Sequence, residues 1–168
     1  MQHPPWKFLS SEDLGSRLEK QDERLLALTK PRVTLMVLWT AAIGCFLAAE
    51  GEIDWLLVFH TISGTALLAA GTAVLNQVME RREDSRMQRT AKRPLPAGRI
   101  RPAPALLFGL GLVTAGTAYL AAAVNPLVAI LGGLTSVVYL ALYTPLKKYA
   151  PFCTVIGAIP GATPPLMG

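Results

Sequence analysis

Apolar positions along this chain gather into long unbroken runs, and the charged positions gather between them. Four runs, residues 33–49, 55 to about 79, about 103 to 124, and 127–143, are long enough to be membrane spans. A hydrocarbon core of about 30 Å takes roughly 20 helical residues at about 1.5 Å each, whereas a soluble core is built from shorter amphipathic pieces. A fifth apolar run starts near Thr154, carries Pro160, Pro164 and Pro165 as interruptions, and stops with the chain at Gly168, which leads us to expect a fragment. The expected fold class is all-α: a multi-spanning transmembrane helix bundle, with four helices and a truncated fifth in residues 30–168. Residues 1–29 are expected to form a cytoplasmic tail in which residues 14–28 make an amphipathic surface helix.

The punctuation between the runs supports these boundaries. Lys30-Pro31-Arg32 precedes the first run, with Pro31 suited to a first helical turn and the two bases placed to anchor at the headgroups. The acidic turn at residues 50–54 leads to Trp55, an interfacial residue type, and Asn125-Pro126 makes a tight turn because proline cannot continue the preceding helix. Hydrophobic residues make up 52% of the 168, yet the chain also holds 16 Lys and Arg, so segregation, not low charge, makes it a membrane protein. The bases fix an orientation. Arg81, Arg82, Arg86, Arg89, Lys92, Arg93, Arg99 and Arg101 follow the second run, and Lys147 and Lys148 follow the fourth, while the opposite connections hold none. Both basic loops and the N-terminus are therefore expected in the cytoplasm. The first thirty residues mix acids and bases without an apolar centre, unlike a secretory signal or an acid-poor transit peptide, so a bacterial cell membrane is expected.

Isolated residues carry little chemistry. Cys45 and Cys153 lie in separate apolar runs with no second Cys or His at ligand spacing, and His3 and His60 are equally alone. Gly64, Gly71, Gly109, Gly111, Gly116, Gly132 and Gly133 read as close packing between helices in lipid, since no strand precedes them and no nucleotide-binding spacing is present.

The informative stretch runs from Leu75 to Gly98. Asn76, Glu80 and Asp84 are spaced by four, so on a continuing helix they line one wall, each about 6 Å beyond the last. Magnesium takes oxygen ligands and is usually held by a few carboxylates together with substrate phosphates and waters, so one such wall suffices for the protein's share. Arg86, Arg89, Lys92 and Arg93 stand close by to neutralise phosphate oxygens. The bland reading is a solvated, ion-paired helix end anchored by the positive-inside rule. Against it stands the Pro94-Leu95-Pro96 that follows: the prolines are expected to end the helix, hold Arg93 extended and turn the chain back through Gly98, a stop that a plain anchor has no need of.

The run Asn76-x-x-x-Glu80-x-x-x-Asp84-x-x-Met87-x-Arg89-Thr90-x-x-Arg93-Pro94-Leu95-Pro96-x-Gly98 resembles the first signature of the intramembrane prenyltransferase superfamily, in the form typical of its protoheme farnesyltransferase branch. The superfamily usually has Asp where Glu80 stands; the heme branch often has Glu. Thr29-Lys30-Pro31-Arg32, the segment from Tyr143 to Lys148, and Gly157-Ala-Ile-Pro-Gly161 with Pro164-Pro165 resemble the same branch, so the likeness runs from about Leu28 to the end. It implies a bundle of about nine helices whose two acidic motifs hold Mg2+ ions and a prenyl diphosphate, with only the first motif present here, so this chain alone is expected to be inactive. It further implies transfer of farnesyl from farnesyl diphosphate to a vinyl group of heme b, giving heme O, and association with proteins of heme A synthesis or terminal oxidase assembly. Asn76, Glu80 and Asp84 would be the catalytic metal ligands. Arg89, Arg93, Tyr143, Lys147 and Lys148 would hold the diphosphate, with Lys30 and Arg32 as weaker candidates.

Two other readings stay open. One is a prenyltransferase of the same superfamily acting on a quinone precursor, since the cavity chooses the acceptor and spacing does not reveal it. The other is a non-catalytic module whose basic loop grips anionic lipid, at about 1 kcal/mol per Lys or Arg, with no sensitivity to magnesium. Nucleic acid is not an expected partner, because the basic loop is short, carries acids and offers no aromatic for base stacking.

Overall fold

The computed structural model describes residues 28–49, 51–146 and 153–167. Among them the chain forms helices and no strand: α1 (Pro31–Ala48), α2 (Trp55–Asp84), α3 (Pro102–Ala123), α4 (Pro126–Val137) and α5 (Cys153–Met167). A π-helical stretch, Val138–Tyr143, and a last turn, Thr144–Leu146, continue α4. Four helices are long and apolar enough to cross a membrane: α1, α2, α3 and the composite Pro126–Leu146. They match the four expected spans within a few residues at each end. The expected surface helix lies outside the described residues except for Leu28.

Local chemistry explains the starts. Pro31, Pro102 and Pro126 occupy first turns, where a missing N–H costs nothing. Asp54 caps α2 by accepting from the Leu56 and Leu57 amides at 3.0 and 3.1 Å, and Asn125 caps α4 by accepting from Leu127 N at 2.8 Å.

Two expectations need correction. The helix of the second span stops at Asp84, ten residues before Pro94, so the prolines do not end it. The Thr90 hydroxyl folds back to donate to the Asp84 carbonyl at 2.9 Å, satisfying one of the last carbonyls with a side chain and closing the helix there. The prolines act further on: Leu95 between them is 5% exposed in a cluster with Leu28, Val74 and Ala105, while Arg99 and Ile100 donate to the Pro94 carbonyl across a turn that passes through Gly98 at φ 70°. The second correction concerns the fifth run. Its three prolines lie inside α5, which continues through them to Met167, because in a membrane bundle neighbouring helices and small local adjustments satisfy the carbonyls that a proline leaves free.

The tightest seam joins α2 to α3. A Cβ on Gly71 would meet the Gly109 carbonyl and Val113 N at 2.8 Å, and one on Gly116 would meet Leu68 N at 2.7 Å, so both positions let backbones approach as no larger residue could. Gly64, Gly109 and Gly132 likewise face side chains within 3 Å, whereas Gly111 has nothing near and Gly133 only Thr117 at 3.8 Å. The close-packing reading holds for five of the seven and fails for Gly111, which faces open space, and for Gly133, where a Cβ would make only ordinary contact.

Candidate functional site

At roughly 1.5 Å per residue the 30 residues of α2 outreach the hydrocarbon core, so a helix beginning at Trp55 leaves the apolar zone near Asn76 and carries Glu80 and Asp84 to headgroup depth. Those three residues face inward. Asn76, Glu80 and Asp84 are 2%, 6% and 6% exposed, an unusual burial for charged side chains and one that calls for partners.

Those partners come from three elements. Asn76 Nδ2 donates to Glu80 Oε2 at 3.0 Å along the helix. Across the bundle, Thr144 Oγ1 donates to Asn76 Oδ1 at 2.9 Å. From the loop after α2, Arg93 Nη1 donates to Asp84 Oδ2 at 2.7 Å, a charge-assisted bond whose arginine is partly exposed. Gln77 Nε2 donates to the Leu28 carbonyl, which ties the chain entering α1 to the same end of α2. The start of α1, the end of α2 and the end of the α4 composite therefore meet in one place.

Beside them lies a cavity of about 400 Å³ between α1, α2, α4 and α5. Its α2 wall includes Thr72, one turn before Asn76, so the face that carries the acids continues into the cavity. Tyr139 and Tyr143 line it as a stacked pair with centroids 5.2 Å apart. A Cβ on Gly157 would strike the Tyr143 ring at 2.8 Å, so α5 closes directly onto that tyrosine. Thr72 Oγ1 and Ser136 Oγ lie 2.9 Å apart on the cavity wall, and Thr65 Oγ1, also on that wall, is buried with no hydrogen-bond partner among the described residues. Lys30 lines the cavity too, with a backbone at φ 48° that costs a non-glycine residue about 1 kcal/mol, a kind of strain that clusters at functional sites.

Of the sequence-derived candidates, Asn76, Glu80, Asp84 and Arg93 come together. Tyr143 lies on the cavity wall, and Arg89 is exposed on the loop with no hydrogen bond or ion pair among the described residues. Lys147 and Lys148 lie outside the described residues. Thr90 and Thr144 lie within the quoted motifs but were given no role from sequence, and Tyr139 and the Thr72–Ser136 pair were not singled out at all. Thr72 continues the spacing of four backwards from Asn76 and was legible; the others act across the fold or across a turn. Among the described residues no three His, Cys, Asp or Glu side chains come close enough to hold a metal ion by themselves. The protein's share of any cation site here is two carboxylates and an amide, all of them the oxygen donors that a hard cation takes.

The chain is 45% identical over 152 residues to protoheme IX farnesyltransferase of Solibacter usitatus, covering 85% of this chain and 52% of that protein. It is 46% identical over 145 residues to the protein of the same name from Koribacter versatilis, covering 84% and 46%. Against protoheme IX farnesyltransferase 1 of Pseudomonas putida strain GB-1 it is 45% identical over 144 residues, covering 85% and 48%. The chain thus spans about half the length of the curated relatives it matches. No solved structure matches it. Residues 37–168 match the pattern of the UbiA prenyltransferase family, and the chain belongs to that family.

Proposed function

We propose that the whole protein transfers a farnesyl group from farnesyl diphosphate to a vinyl side chain of heme b, with addition of water, giving heme O in a bacterial cell membrane. One observation carries this reading most: the buried oxygen wall of Asn76, Glu80 and Asp84, paired with Arg93 and continuing into an apolar cavity. The relatives' printed name supplies the acceptor and the prenyl group.

The residues fit Mg2+ as a partial shell. Asn76 Oδ1, Glu80 and Asp84 would hold it, with substrate phosphates and waters completing the coordination. A bound Mg2+ supplies electrostatic neutralisation of the charge that builds on the departing diphosphate. The ion pair to Arg93 takes only Asp84 Oδ2 and one of five guanidinium N–H donors, so Oδ1 remains for the cation and the rest of the guanidinium for phosphate. Arg89, Tyr143, Lys147 and Lys148 would take the remaining phosphate oxygens. The cavity beyond, walled by Ala69, Ala73, Gly132 and the two tyrosines, would receive the isoprenoid chain and keep water from the allylic cation.

The test is calorimetric binding of a non-hydrolysable farnesyl diphosphate analogue to the full-length protein in detergent, with and without Mg2+, for wild type and Asp84→Ala. Binding that needs Mg2+ and drops at least tenfold in the variant is expected, as losing a hydrogen bond to a charged group costs roughly 1.5–3 kcal/mol. Equal binding in all four conditions refutes the metal–diphosphate reading. Turnover of a quinone precursor in place of heme b would reassign the acceptor alone.

A further inference from the structure

We infer that Thr144, which follows the π-helical stretch Val138–Tyr143, is a positioning residue for the metal-binding wall: its hydroxyl fixes the amide of Asn76. The inference rests on the metal reading above and deepens it.

The argument starts from what a threonine does in an α-helix. Its hydroxyl ordinarily donates to the carbonyl four residues back, and Thr72, Thr117 and Thr135 do so to Leu68, Val113 and Leu131 at 2.8, 2.8 and 2.6 Å. Thr144 differs because the π register places its backbone N–H on the Tyr139 carbonyl, five residues back. The hydroxyl lies 2.9 Å from that same carbonyl and 2.9 Å from Asn76 Oδ1, and it has one proton for the two. The backbone N–H shares that carbonyl with the hydroxyl, as it does at an α-helical threonine, so the Tyr139 carbonyl and Asn76 Oδ1 are both in reach of the one proton.

The other side of the amide decides that it goes there. Asn76 Nδ2 donates to Glu80 Oε2, which leaves Oδ1 facing Thr144, and because an amide oxygen only accepts, the hydroxyl must donate to it. Thr144, Asn76 and Glu80 thus form a directed row across two helices, all three 6% exposed or less. An amide oxygen has two lone pairs. With one held by Thr144, the other has a fixed direction, and Glu80 Oε2 is fixed with it. Without the hydroxyl the amide is tethered at one end only, and a cation would have to order it on binding.

The experiment is an electron paramagnetic resonance titration of Mn2+, used as the Mg2+ probe, on the full-length protein in detergent without substrate. Thr144→Val, which keeps the shape and loses the donor, should weaken Mn2+ binding about tenfold, the scale of one buried hydrogen bond. Thr144→Ser should restore it to within about twofold. In an Asn76→Ala background, where there is no amide to orient, adding Thr144→Val should change nothing further. This last comparison, made also with Thr144→Ala, keeps the inference testable where Thr144→Val accumulates poorly in the membrane. Wild-type affinity in Thr144→Val, failure of Ser to rescue, or additive losses with Asn76→Ala would overturn the inference and leave Thr144 a packing residue. Glu80→Gln separates the two readings: if it weakens Mn2+ binding and Thr144→Val does not, only the inference on Thr144 falls; if it binds as wild type does, the metal reading falls and takes the inference with it.

Discussion

A buried hydroxyl with no partner is costly, and Thr65 carries one on the cavity wall among the described residues. Replacing such a group by an apolar one of the same shape is neutral or stabilising, by about 1 kcal/mol, because the desolvation penalty disappears. Thr65→Val should therefore leave the unfolding midpoint of the full-length protein unchanged or raised. If the hydroxyl serves a ligand, the same variant should raise the acceptor's KM several-fold; a raised midpoint with unchanged KM assigns Thr65 no role in binding. Arg93 calls for the opposite kind of variant. Its bond to Asp84 uses one edge of a planar fork, and lysine keeps the charge while losing the fork. Arg93→Lys should lower affinity for the diphosphate analogue about tenfold, since a lost bidentate contact is on the order of 1.5–3 kcal/mol, and calorimetry on the two proteins reads that difference directly.

Elements rather than residues decide where the loop after α2 sits. Leu95 is held between two prolines that fix its backbone, and it fills a cluster closed by Leu28, Val74 and Ala105. That one contact joins the loop to α2, α3 and the chain leading into α1, so it sets how close Arg93 stands to Asp84. Leu95→Ala should cost about 2 kcal/mol or more from the cavity it leaves, seen as a lower midpoint in thermal unfolding, and should expose the loop to protease earlier than the helices. The sequence made the acidic wall legible because spacing of four is a local property of one helix. It did not make the end of that helix legible, since a threonine hydroxyl six residues on, and not the prolines, closes it at Asp84. The Thr144 bond was hidden for another reason: its partner lies sixty-eight residues away, and no periodicity links the two. Helices as such were easy to find, because twenty apolar residues in a row have few other uses.

At the scale of the whole molecule the charges fall at one end. Lys30 and Arg32 at the start of α1, the arginines after α2 and Arg101 before α3 lie with the acidic wall, while the connections at residues 49–54 and 124–125 carry no base. The positive-inside rule predicts that the basic end, and the proposed site with it, faces the cytoplasm. Single cysteines introduced at Arg86 and Glu52, both exposed and at opposite ends, test this in a background with Cys45 and Cys153 replaced by alanine. In intact cells a membrane-impermeant maleimide should label Glu52→Cys and spare Arg86→Cys until the membrane is opened. The reverse pattern would put the oxygen wall and its arginines on the outer face, away from a cytoplasmic pool of prenyl diphosphate, and the proposed reaction would lose its substrate. Orientation is thus not a detail added to the chemistry: the same six bases between α2 and α3 that would draw in a diphosphate also set, by the positive-inside rule, the compartment it is expected to come from.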